Sequence, residues 1–206
     1  MKKHLIILFL FLASCSLKRV NQHPIGLKSI VTQDVYLDDS FNDDEQNNIK
    51  YAFNEWLVAT RGMVKFNYAG TIPVLTTDPY VLTKNTIIRL RSDDPFVINM
   101  RNNQVHGSSV IGFHIKTDDS IHFVVGIVYD VIPNTVQYKL NIIHELGHAI
   151  NLSHIDSGPA ILNTVQDKNL RCLTKTDLIN FCNKYSCNAE EMNYCPNYNV
   201  SNQLFH

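Results

Sequence analysis

Apolar and polar positions alternate over residues 28 to 37, which predicts a first strand with Ile30, Val35 and Leu37 turned inward. The period then changes. Ile49, Ala52, Phe53, Trp56 and Leu57 recur at helical spacing, Asn42 with Glu45 three positions on marks the helix start, and Gly62 marks its stop. The acidic residues around that start, Asp38, Asp39, Asp43, Asp44 and Glu45, read better as a solvated helix N-terminus than as a calcium site, because the helix dipole favours them there. Strand-like runs follow at Val64 to Tyr68, Thr86 to Leu90, Val110 to Ile115 and Ile121 to Tyr129, with loops rich in Asp, Asn, Pro and Gly between them. Lys116-Thr117-Asp118-Asp119-Ser120 joins the last two runs as a short polar turn, suited to an antiparallel hairpin. A second helix is predicted from Asn134 or Thr135, burying Val136, Leu140, Ile143 and Ile150. A third is capped by Thr174 and carries Leu178, Ile179, Phe181 and Tyr185 on its apolar stripe. Strands with helices packed on a face predict an α+β class.

Composition narrows the partners. The chain has 206 residues, 45% hydrophobic and 18% charged, enough for one domain with a substantial core. A formal net charge of -1 leaves no broad basic field for nucleic acid, so no nucleic-acid partner is expected, and a monomer is. The N-terminus has Lys2 and Lys3, an apolar run from Leu5 to Leu12, and Leu12-Ala13-Ser14-Cys15. That run is shorter than the roughly 20 residues a membrane-spanning helix needs, so residues 1–14 read as an export signal. Leu-Ala-Ser-Cys resembles the lipobox of bacterial lipoproteins, which implies lipidation of Cys15 and a cell-envelope location, periplasmic or surface-exposed, with the lipid as the only membrane contact. Residues 15–27 then read as a tether and 28–206 as a single domain with a disulfide-rich C-terminal segment.

Export favours disulfides over thiolate metal sites for Cys172, Cys182, Cys187 and Cys195. A helix from Thr174 rises about 1.5 Å per residue and carries Cys182 beyond bridging distance of Cys172. Cys182 with Cys187 and Cys172 with Cys195 is therefore the favoured pairing, with three connectivities open on paper.

The chemistry concentrates in His144-Glu145-Leu146-Gly147-His148-Ala149-Ile150-Asn151-Leu152-Ser153-His154. On a helix His144 and His148 present two imidazoles to one point. A catalytic zinc takes three protein ligands and keeps one position open, and His154 can be the third only if the helix stops before it. Asn151 is where that stop can occur, since Asn adopts the left-handed conformation more readily than other residues with a side chain. Glu145, next to the first ligand, is the candidate general base. A single histidine among nine is usually a packed or solvated residue, whereas three histidines and a glutamate at fixed spacing point to Zn2+. His106, His114 and His122 lack tight ligand spacing and read as surface or strand-packing residues.

These residues resemble the metzincin superfamily of zinc peptidases, whose pattern is H-E-x-x-H-x-x-G-x-x-H, with Asn151 replacing the family glycine. The segment Asp156-Ser157-Gly158-Pro159-Ala160-Ile161-Leu162 looks like the methionine turn of matrixin-like members, with Leu162 in the methionine position as structural support under the zinc. Leucine fills similar apolar volume, so tuning of the site is expected and not its loss. The resemblance covers roughly residues 28 to 186. It implies a zincin-like domain: a mixed, mostly parallel twisted sheet with an antiparallel edge strand, packed on an active-site helix and a second long helix, plus a C-terminal helix. It also implies a zinc-dependent endopeptidase, in which water activated by the metal attacks the peptide bond with Glu145 as general base. In similar enzymes an extended protein or peptide substrate pairs with an edge strand above the zinc, for which Val110, Ile111, Gly112, Phe113 and His114 are the candidates. The rival reading is a zinc-containing lipoprotein that only binds proteins, with Asn151 and Leu162 as relics of lost activity; a glutamate at position 145 has no duty in such a site.

Overall fold

A computed structural model describes residues 31–195 apart from 77, 104–110, 119–120, 156, 166 and 168. The export signal, the tether, Cys15, Val110, His106, residues 28–30 of the first predicted strand, two residues of the predicted hairpin turn and Asp156 lie outside the described residues.

Among the described residues five strands form one sheet: β1 (Val31–Asp38), β2 (Val64–Ile72), β3 (Thr86–Leu90), β4 (Gly112–Lys116) and β5 (Phe123–Val128), in the order β2-β1-β3-β5-β4. The first three pairings are parallel, in registers such as Val31 with Val64 and Ile87 with Val125. The parallel β1–β3 pairing aligns Leu37 with Ile87. Only β4 is antiparallel, pairing Gly112 with Ile127 and Lys116 with Phe123. The fold is therefore α+β with a mostly parallel sheet and an antiparallel edge strand. Every residue of β5 is buried, the continuous apolar run expected of a strand covered on both faces.

Four helices complete the described chain: α1 (Asp43–Ala59), α2 (Pro95–Asn103), α3 (Thr135–Ala149) and α4 (Lys175–Tyr185). On one face, Ile49, Phe53 and Trp56 of α1 and Ile143 and Leu146 of α3 close over Val35, Leu37, Ile87, Val125 and Ile127. Trp56 is fully buried and its indole Nε1 donates to the Ile143 carbonyl at 3.0 Å, tying the two long helices together. Cutting Trp56 to alanine would cost about 3–5 kcal/mol through the cavity left behind. Across the sheet, Val97 of α2 joins Ile88, Phe113, Val124 and Val128 in a smaller cluster.

Several expectations change in detail. Helix α2 falls where a loop was expected: its stripe is short and weak, and its start signal is local, with Asp94 accepting from the Phe96 amide at 2.8 Å and Pro95 in the first turn. β2 runs on to Ile72, whereas β5 begins at Phe123, leaving Ile121 exposed. Val136 and Ile179 are exposed and Leu57 is half-buried; Tyr138 takes the core position at the start of α3 and Ala59 the one at the end of α1. α1 ends one turn before Gly62, with both Arg61 and Gly62 left-handed and the Gly62 amide donating to Leu57 at 2.8 Å. Not all of the acidic cluster is solvated: Glu45 caps α1 and pairs with Arg89 at 3.0 Å, and the buried Asp38 accepts from the Ser40 and Arg89 amides. Cys182 pairs with Cys187 and Cys172 with Cys195, at Cα separations of 4.5 and 6.0 Å. Among the described residues no helix is long and apolar enough to cross a membrane.

Candidate metal centre

Helix α3 starts on an Asn134 side chain that accepts from the Gln137 amide, and it buries Leu140, Ile142, Ile143 and Leu146. Its C-terminal end shapes the site. Asn151 is left-handed at φ 60°, its amide donates to the His148 carbonyl at 2.7 Å, and the Leu152 amide donates back to Gly147 at 3.0 Å. Those two bonds form a Schellman turn, which ends the helix and sends the chain back across its own last turn. Leu152 is buried there, and its carbonyl accepts from His148 Nδ1 at 2.8 Å. Two residues on, His154 lies exposed beside the helix it has just left.

The three imidazoles converge. His144 Nε2 is 3.0 Å from His148 Nε2 and 3.2 Å from His154 Nε2, and the latter two are 3.1 Å apart. His144 Nδ1 meets the Ile161 carbonyl at 2.7 Å. Because carbonyls only accept, the Nδ1 atoms of His144 and His148 carry the protons, and both Nε2 atoms present bare lone pairs. Lone pairs this close repel unless a shared cation sits between them. A tetrahedral ion with Zn–N bonds of about 2.0–2.1 Å spaces its nitrogens by about 3.3 Å, so the donor set fits a zinc-sized cation. His144, His148 and His154 are the group of metal-capable side chains found among the described residues.

Electrostatics favour the ligating state. Burial pushes His144 down to about 4 and lowers His148 as well, so both rings are neutral near pH 7, as a metal ligand must be. Glu145 is 6% exposed, and burial pushes its carboxyl up to about 8. A dication beside it acts in the opposite direction and favours the carboxylate.

The floor is the segment 160–162. Leu162 is fully buried against Gly147: a Cβ at Gly147 would stand 2.6 Å from Leu162 Cδ2 and 3.2 Å from Trp56 Cζ2. Asp177 of α4 holds this floor, accepting from the Ile161 and Leu162 amides at 3.0 Å each and from the Thr174 amide and hydroxyl at 2.8 Å each. Burial raises the Asp177 pKa while these donors pull it down, with burial the stronger. In sequence Asp177 is visible only as the third residue of a helix cap, and nothing local announces its second role. The carbonyls of Ile161 and Leu152 that orient the histidines are equally silent, since every residue has one.

The proposed substrate strand divides. Ile111 lies just before β4, and Gly112, Phe113 and His114 lie in it, at the edge of the sheet. The Phe113 side chain is buried on the far face, its ring 5.2 Å from that of Phe96. His114 faces the helix, its ring 6.4 Å from that of His148 and outside the three-histidine cluster. Tyr129 lies under the Arg89 guanidinium at 3.4 Å, and Tyr138 is buried.

No family model matches the chain, and no curated protein matches it. One solved structure to which it is similar is that of myroilysin, at 12% identity and a TM-score of 0.37. The match covers 61% of this chain and 50% of that one, so the chain spans about half the length of that structure. Similarity this distant adds nothing to the reading of the site, which rests on its own geometry.

Proposed function

We propose that the chain is a zinc-dependent endopeptidase of metzincin-like, matrixin-like type, with His144, His148 and His154 as ligands and Glu145 as general base. The observation that carries this reading is the meeting of three Nε2 atoms within 3.0–3.2 Å, two of them aimed by carbonyls at their Nδ1. Zinc, when bound, supplies the Lewis acidity that polarises the scissile carbonyl and makes water a nucleophile near neutral pH. Glu145 takes the proton of the attacking water on a carboxylate oxygen and delivers it to the leaving amine nitrogen, so that one peptide bond and one water become a carboxylic acid and an amine. The exposed His154 leaves the triad open to solvent on one side, which suits a polypeptide substrate.

The Leu12-Ala13-Ser14-Cys15 segment supports export and anchoring through Cys15 in the cell envelope, and the two cysteine pairs suit an oxidising compartment. The test is zinc content per chain together with cleavage of an unfolded protein, with and without chelator. Glu145→Ala is expected to keep its zinc and lose at least about 100-fold in rate; equal turnover by that variant removes the assigned role. A protein that holds zinc and cleaves no unfolded substrate would leave the binding-module reading in its place.

A further inference from the structure

An asparagine in the middle of a helix, facing the sheet, is costly to bury. Asn141 is 1% exposed, and its Nδ2 donates to the carbonyl of Ile111 at 2.9 Å. The same carbonyl accepts from the Val128 amide at 3.1 Å, so both of its lone pairs are used and a single oxygen joins α3, β5 and the start of β4. The next residue is Gly112. Its φ is not in the left-handed region, so glycine is needed there for space: a Cβ would stand 2.5 Å from Asn141 Nδ2 and 2.9 Å from its Oδ1. Helix and edge strand therefore approach as closely as a missing side chain permits and are held there by an amide.

Asn141 lies one helical turn before His144 and four residues before Glu145. β4 is the edge strand, paired with β5 on one side. We propose that Asn141 is a positioning residue: with Gly112 it sets the spacing between edge strand β4 and the metal-bearing helix, and so governs how tightly an extended peptide is held over the three histidines. This rests on the peptidase reading above and on main-chain pairing of the peptide with β4. A methyl group at position 112 must push the strand away from α3 or expel the Asn141 amide from its acceptor. Either way the peptide is displaced relative to the metal, where displacements of about 1 Å are costly.

The test uses the zinc-loaded full-length chain carrying Glu145→Gln, which keeps substrate uncut, and reads the anisotropy of fluorescein-labelled β-casein. Gly112→Ala is expected to weaken binding by about tenfold or more with zinc content unchanged. Asn141→Ala, which removes the bond to the Ile111 carbonyl, is expected to weaken binding as well, with zinc still bound. Asn141→Asp keeps the volume and turns the donor into an acceptor facing the Ile111 carbonyl, so it too must weaken binding while zinc stays bound. Affinity within twofold of the parent in Gly112→Ala, or, should that variant not fold, in Asn141→Asp, overturns the inference. A parent that binds no casein speaks against the peptidase reading itself and takes this inference with it, whereas a binding parent with indifferent variants removes only the role of Asn141.

Discussion

The carboxylate of Asp177 accepts the amide of Ile161 at 3.0 Å, and the carbonyl of that same residue receives Nδ1 of His144 at 2.7 Å. A helix that follows the site in sequence thus orients the first of the three histidines through one intervening peptide.

Asp177→Ala is expected to leave the Ile161, Leu162 and Thr174 amides without their buried acceptor, at a cost of about 3 kcal/mol. It should also weaken zinc binding by about 10–100-fold, the usual effect of losing a partner behind the ligands. Urea unfolding and zinc competition with a chromogenic chelator measure the two effects. An unaltered zinc affinity would reduce Asp177 to a helix cap.

Asn151 sits at φ 60°, where glycine is at ease and alanine is not. Asn151→Ala is expected to lose about 1 kcal/mol of stability and Asn151→Gly to lose none. Chemical denaturation ranks the three proteins, and equal stability of the alanine variant would contradict the left-handed turn.

Gly147→Ala drives a methyl group into Leu162 and Trp56 under the histidines. We expect a loss of about 1–3 kcal/mol from overpacking, partly relieved by Leu162→Ala in the same chain. Thermal melts of the single and double variants decide it; additive losses would place Leu162 elsewhere.

Glu55 of α1 is half-buried and its carboxylate accepts from the Leu173 amide at 2.9 Å. Burial raises its pKa above the usual 4.5, and the Leu173 bond opposes this only in part. A raised carboxyl pKa means that the folded protein holds the proton more tightly than the unfolded chain. Its stabilising contribution is therefore complete below 4.5 and lost as pH rises through the folded value. Glu55→Gln keeps an acceptor and cannot ionise, so its stability relative to the parent should improve from pH 4 to pH 7. Urea midpoints across that range test the sign, and a constant difference would refute it.

How much of this was readable beforehand depended on whether the cause was local. The stripe of Ile49, Phe53 and Trp56, the capping residues Asn42, Asn134 and Thr174, and the unbroken apolar run of β5 all act within a few residues, so their elements stand where the pattern put them. Helix α2 escaped because nine residues with one buried position carry almost no periodicity. Val136 and Ile179 show the limit from the other side: apolar side chains at the right phase of a helix can still stand exposed.

By itself the sequence determined the donors, their spacing on the helix and the residue at which the helix ends, because imidazole chemistry, the 3.6-residue repeat and the left-handed tolerance of asparagine are properties of short segments. Only the tertiary structure decided how those donors are aimed. The Ile161 and Leu152 carbonyls, the Asp177 carboxylate, the Leu162 packing on Gly147 and the grip of Asn141 on Ile111 belong to backbone groups and to approaches between distant segments. Such groups are present at every position, and folding alone selects the few that meet.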